Sequence, residues 1–131
     1  MLCVSRLQIE KRVELCVSAM AVARQAAERN GLTLRTFVAK LEAFDYGQSQ
    51  WDLVLFSWMG PMPQPLADRV QASLKPGGVV VVEGMQSWFG DNGLLRVFAP
   101  FRVLHYEDVV APSDFFNRTE MRVSRLCAER P

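Results

Sequence analysis

The hydrophobic positions fall into a strand–helix–strand pattern in the middle of the chain. Leu53, Val54, Leu55 and Phe56 form an unbroken apolar run behind Asp52. Such a run suits a parallel strand covered on both faces, where strict alternation is not required. Val79 to Val82 is a second run, of four β-branched residues, which favours a strand in the same way. Between the two, Leu66, Val70 and Leu74 recur at fourfold spacing, while Arg69, Gln71 and Lys75 face outward. Pro63 and Pro65 stand where a first helical turn tolerates proline, because the missing N–H is unpaired there anyway. Lys75-Pro76-Gly77-Gly78 ends the helix, since proline disfavours helix before it and the glycines allow positive φ. A strand, a crossover helix and a strand make a right-handed βαβ unit.

The N-terminal stretch, residues 1–31, admits two readings. Ile9, Val13, Cys16, Met20, Ala23 and Ala27 form one helical stripe, with Ser5 as a cap and Asn30-Gly31 as a stop. Alternatively, Arg12 to Leu15 is a short strand and the helix starts near Ser18. Local pattern favours the single helix. Leu32 to Ala39 largely alternates and predicts a strand, and Lys40 to Gln50 a loop anchored by Phe44 and Tyr46, with Gly47 as a turn residue. Beyond Met85, Gln86 to Gly90 reads as loop, and Asp91 as the cap of a short helix from Asn92 to Phe98. Phe101 to Tyr106 and Thr119 to Ala128 read as strands, with Asp108 to Asn117 as their loop. Two strands joined without a helix form an antiparallel pair. The chain ends in a β-hairpin attached to a parallel α/β sheet.

Composition narrows the function. At 131 residues the chain reads as one domain, with residues 1–31 a helical region and 32–131 the sheet core,. A net charge of +1 leaves no electrostatic footprint for nucleic acid or an acidic membrane surface,. No apolar run approaches the roughly 20 residues of a membrane span, and the N-terminus carries no signal-peptide core. Cys3, Cys16 and Cys127 have no metal or redox spacing, so they read as reduced thiols of a cytoplasmic protein. No metal constellation is expected.

WDLV, then LKPGG and VVVVEG some twenty residues later, then FRVLHYEDV and MRVSRLCAERP, resemble the fourth strand, fifth strand and terminal hairpin of class I S-adenosylmethionine-dependent methyltransferases. The resemblance runs from about Val13 to Pro131. It implies a three-layer Rossmann-like α/β fold, with a mostly parallel sheet and an antiparallel C-terminal hairpin. It also implies S-adenosyl-L-methionine as cofactor and methyl transfer to a small molecule. Val13 to Arg24 is similar to the family's second strand and following helix. On that alignment Glu14 accepts the two ribose hydroxyls, as a carboxylate at a strand's C-terminal edge can, and Leu15 packs on the adenine. Lys40 and Leu41 stand at the adenine contact. Phe56, Ser57 and Trp58 end the fourth strand where cofactor and substrate meet.

Two features depart from the family. No glycine precedes Gly31, so the glycine-rich loop that brings backbone N–H groups to the cofactor is missing. Lys40 cannot accept a hydrogen bond from the adenine amino group. The expectation is a sheet whose first strand is missing, closed by pairing Leu32–Ala39 with Trp51–Phe56 or by a second copy of the chain. No catalytic residue stands out. His105 suits an exposed sheet position better than a general base, and Glu107-Asp108 reads as solvated. Trp88, Phe89, Phe115 and Phe116 read as loop aromatics that pack or line a pocket. The alternative is a degenerate methyltransferase fold without cofactor, acting as an interaction module. A dinucleotide-binding Rossmann domain is weaker, for want of GxGxxG.

Overall fold

The computed structural model describes residues 2–5, 13–37, 39–113 and 118–131, with side chains over 20–37, 39–112 and 120–131. The chain divides into two compact units, Met1–Arg6 with Asp45–Pro131, and Leu7–Phe44.

The larger unit is a five-stranded sheet. Its strands are β1 (Leu2–Ser5), β2 (Trp51–Ser57), β3 (Leu74–Met85), β4 (Arg102–Ser113) and β5 (Arg118–Glu129), in the order β1-β2-β3-β5-β4. β1, β2 and β3 run parallel, and β5 lies antiparallel between β3 and β4. The expected βαβ unit is present: helix α2 (Gln64–Ser73) carries the chain from β2 to β3.

A hydrophobic layer seals one face of the sheet. Val54, Phe56, Val80, Val82, Leu126 and Ala128 are all buried there, with Leu66, Ala67 and Val70 of α2. Helix α3 (Gln86–Phe89) and helix α4 (Gly93–Val97) follow β3, and Leu94 and Phe98 complete that core. On the opposite face Leu53, Leu55, Val79 and Val81 are half-buried. The two apolar runs are therefore fully sealed on one face only.

Several boundaries differ from expectation. A strand does begin the chain: Leu2–Ser5 pairs with Val54–Ser57. β2 thus has β1 on one edge and β3 on the other, which leaves no edge for Leu32–Ala39. Residues 32–37 form no strand. The helix α2 stops at Ser73, where Leu74 is already extended, and Lys75–Gly78 bulge between the Trp51↔Leu74 and Leu53↔Val79 pairs. Gln86–Phe89 is a helical turn rather than loop. Asp91 does not cap α4; Asn92 holds the N-cap in a left-handed conformation, and the Asp91 carboxylate accepts from Gln86 Nε2 at 2.7 Å. β4 runs on to Ser113, with Pro112 at a ladder irregularity, a place where a missing N–H is tolerated,. Asp108 is held in that strand by hydrogen bonds from Tyr106 and Ser124. Phe115 and Phe116 lie outside the described residues.

The smaller unit holds helix α1 (Val13–Arg29). Val13 to Leu15 are helical rather than part of the alternative short strand, but Ser5, the expected cap of the single helix, pairs with Ser57 in β1 instead; Arg6 to Arg12, including Ile9, lie outside the described residues. Its end is a Schellman motif at the expected Asn30-Gly31. Leu32 N–H reaches Ala27 O at 2.9 Å, Gly31 N–H reaches Glu28 O at 3.0 Å, and Gly31 takes a φ of 65° that glycine adopts without strain,. Beyond it Phe37 packs edge-on to Phe44 at 5.6 Å.

Candidate functional site

The parallel strands β2 and β3 end side by side, and their C-terminal edge is where open α/β sheets bind ligands. Ser57 pairs with Glu83 there. The chain then turns sharply at Trp58, whose φ of 57° is a left-handed conformation that a bulky residue adopts only under constraint,. Two bonds supply the constraint. The Trp58 backbone N–H donates to the Glu83 carbonyl at 2.9 Å, and its indole Nε1–H donates to Glu83 Oε1 at 2.9 Å. Trp58 is buried, and Trp88 stands edge-on to it with ring centroids 6.0 Å apart. Phe89 is in turn edge-on to Trp88 at 6.4 Å.

Gly84 makes this packing feasible. A Cβ there would lie 2.9 Å from the Trp88 ring and 3.0 Å from the Phe89 ring, closer than real side chains approach. Below these rings is a cavity of about 240 Å³. Pro61, Met62 and Pro63 line it from the loop before α2, Trp88 and Phe89 from α3, and Gly93, Leu94 and Val97 from α4. Gln71 Nε2 donates to Val97 O at 2.8 Å and ties α4 to α2.

A polar row crosses the sheet beside this edge. The ladder aligns Ser5, Ser57, Glu83, Arg125 and Glu107 in one register. Arg125 bridges two carboxylates, from Nε to Glu83 at 2.6 Å and from Nη1 to Glu107 at 2.7 Å. The hydrogen bond from Arg125 holds the Glu107 carboxyl below the usual carboxylate range, against a smaller opposing effect of burial,. The same two carboxylates, Glu107 first, raise the Arg125 guanidinium further. His105 lies 3.7 Å from Glu107 and is exposed, as expected of a sheet histidine. Tyr106, on the sealed face, is pushed up to about 12 by burial first and by the Asp108 carboxylate second. Among the described residues no group of side chains could hold a metal ion, and no helix is long and apolar enough to cross a membrane.

The antiparallel β5 wedged between β3 and β4 is the feature that the sequence resemblance made decisive. No family model matches the chain, and neither does any curated protein. Solved structures do match. TehB from Haemophilus influenzae has a TM-score of 0.68 at 15% identity, over 87% of this chain and 47% of that one. The S-adenosylmethionine-dependent methyltransferase from Mesorhizobium loti has a TM-score of 0.58 at 17% identity, over 86% of this chain and 76% of that one. A methyltransferase of the same kind from Methanosarcina mazei gives 0.57 at 14%, over 98% and 82%.

The fold is that of the class I S-adenosylmethionine-dependent methyltransferases.

This chain spans about half the length of TehB. Within its methyltransferase fold, Ser57 and Trp58 stand at the strand edge as expected. The Phe56 side chain is fully buried in the core, with its ring against Tyr46. Glu14 and Leu15 lie in the first turn of α1 rather than at a strand's end. The reason is local, since the alanine-rich segment after Val13 favours helix. Lys40 and Leu41 form the start of a turn in which the Lys40 carbonyl accepts from Ala43 and Phe44. These four belong to the smaller unit. Sequence reading missed Met62, Leu94 and Val97 as lining residues, and Glu83 as the anchor of Trp58. Glu83 carried a signal: it follows four valines, so alternation sets it on the face opposite Val82.

Proposed function

We propose that the chain is a methyltransferase-like protein that transfers the methyl group of S-adenosylmethionine to a small-molecule acceptor held in the Pro61–Val97 cleft. The observation that carries this reading is the cleft's place, at the C-terminal edge of β2 and β3 in this fold. Transfer of this kind depends mainly on aligning the acceptor atom with the methyl carbon. A cleft that holds the acceptor in one pose suits that task, and the lack of an evident general base does not count against it.

The residues present do not match the cofactor at two places. The link between β1 and α1, Arg6 to Arg12, contains no glycine, and Lys40 offers no acceptor to an adenine amino group. Each hydrogen bond lost costs about 1 to 1.5 kcal/mol, roughly tenfold in affinity. Two losses move a micromolar site to about 0.1 mM.

Thermal unfolding with S-adenosylmethionine tests the reading. At about 2 mM ligand, a 0.1 mM site adds about 2 kcal/mol of stability. Unchanged unfolding would sink the donor half. It would leave a second reading, favoured by the glycine-free link: a fold of this class that binds a small molecule and no cofactor.

A further inference from the structure

We infer that the cleft selects an uncharged aromatic molecule of one or two fused rings, about the size of indole. The inference rests on the reading of this cleft as the acceptor side, and it names the acceptor's chemical class.

Three features of the cleft carry it. Its lining contains no ionisable side chain, and the indole N–H of Trp88 is the only strong side-chain hydrogen-bond donor in it,. A charged group held against these walls would lose part of its hydration with no counter-charge to replace it. A ligand rich in hydroxyls would leave most of them unpaired. The class that remains is apolar, with few hydrogen-bonding atoms.

Size sets the second limit. A cavity of about 150 Å³ with apolar walls takes one benzene ring, whereas drug-sized ligands occupy roughly 300 Å³ and more. At about 240 Å³ this cleft lies between them, which suits one ring bearing a substituent or two fused rings. Wall chemistry sets the third. Trp88 and Phe89 of the wall are edge-on to each other, and a further ring continues that array, since aromatic rings prefer edge-to-face or offset contacts. The Pro61 and Pro63 rings and the tight packing at Gly84 keep the walls fixed before a ligand arrives,.

The experiment is isothermal titration of the full chain with indole and with indole-3-carboxylate at neutral pH, repeated on Val97→Phe, which fills the cavity, and on Val97→Ala, which enlarges it. Near-ultraviolet circular dichroism verifies that each variant is folded. Indole is expected to bind with submillimolar Kd, the carboxylate at least tenfold more weakly, and Val97→Phe at least tenfold more weakly for indole. If Val97→Phe does not fold, Val97→Ala decides, by binding the larger naphthalene-sized probe 2-naphthol more tightly than the wild type does. Equal affinity for the carboxylate, unchanged indole binding in a folded Val97→Phe, or no indole binding up to its solubility would overturn the inference. Stabilisation by S-adenosylmethionine without indole binding overturns this ligand class and leaves the methyltransferase reading standing. Indole binding without that stabilisation does the reverse.

Discussion

Trp58 is tied to Glu83 twice, by its indole N–H at 2.9 Å and by its backbone N–H at 2.9 Å. The pair holds a left-handed turn at the end of β2 and so fixes where the loop to Pro63 begins. Replacing Trp58 by Phe removes the side-chain donor and keeps most of the ring. The expected cost is about 1 to 2 kcal/mol, as for a hydrogen bond to a charged group that is partly exposed. Urea unfolding measures it. A loss below a few tenths of a kcal/mol would show that the indole bond contributes little.

Gly84 sets the distance between β3 and the rings of α3. Gly84→Ala forces the Trp88 and Phe89 rings to move, since the new Cβ would sit 2.9 Å and 3.0 Å from them. Overpacking of this kind costs about 1 to 3 kcal/mol. The near-ultraviolet signal of the tryptophans should change along with stability. A stable variant with an unaltered tryptophan spectrum would contradict the packing described.

The Arg125 bridge makes stability depend on acid. Glu107 has a folded pKa below its ordinary 4.5. Its contribution is therefore present in full above about pH 4.5, and it is lost as pH falls through the depressed value. Asp52, held low by its hydrogen bond from Lys75, adds to the loss in the same range. Glu107→Gln keeps an acceptor for Arg125 and removes the charge. Wild type should be the more stable at pH 7, and the two should converge at lower pH as Glu107 is protonated. Guanidinium unfolding at pH 7, 5 and 3 reads this difference, and a gap constant across that range would contradict it.

Tyr106 works in the opposite direction. Its folded pKa of about 12 exceeds the ordinary 10.0, so the fold favours the neutral phenol. That contribution is complete below about pH 10 and disappears as pH rises toward 12. Absorbance at the tyrosinate band, wild type minus Tyr106→Phe, should place the midpoint near 12. A midpoint near 10 would mean that the burial and the Asp108 contact do not hold in solution.

The central βαβ unit and the terminal hairpin were legible because long patterns carry them. Leu53–Phe56 and Val79–Val82 are apolar runs of strand length, the second wholly β-branched, and the stripe Leu66, Val70, Leu74 links them. β1 was not legible. Leu2–Ser5 is four residues long, too short for any period to show, and its strand character comes from pairing with β2. Leu32–Ala39 misled for the converse reason: it alternates, yet β2 has no free edge for it, and a strand without a partner does not persist. Asp108 and Pro112 suggested a loop, whereas the pairing with β5 out to Ser113 and the Ser124 bond to Asp108 secure a strand. The cleft could not be read because its lining comes from three short elements that meet only in the folded chain. Trp88 and Phe89 were visible as aromatics, but nothing in their spacing told wall from core.

Whether the methyl donor binds is read by calorimetric titration of the chain with S-adenosylmethionine. Saturable binding is expected, with a Kd on the order of 0.1 mM, weakened from micromolar by the two mismatched contacts. No heat at millimolar cofactor would contradict it, and the chain would then be a methyltransferase fold that works without the methyl donor.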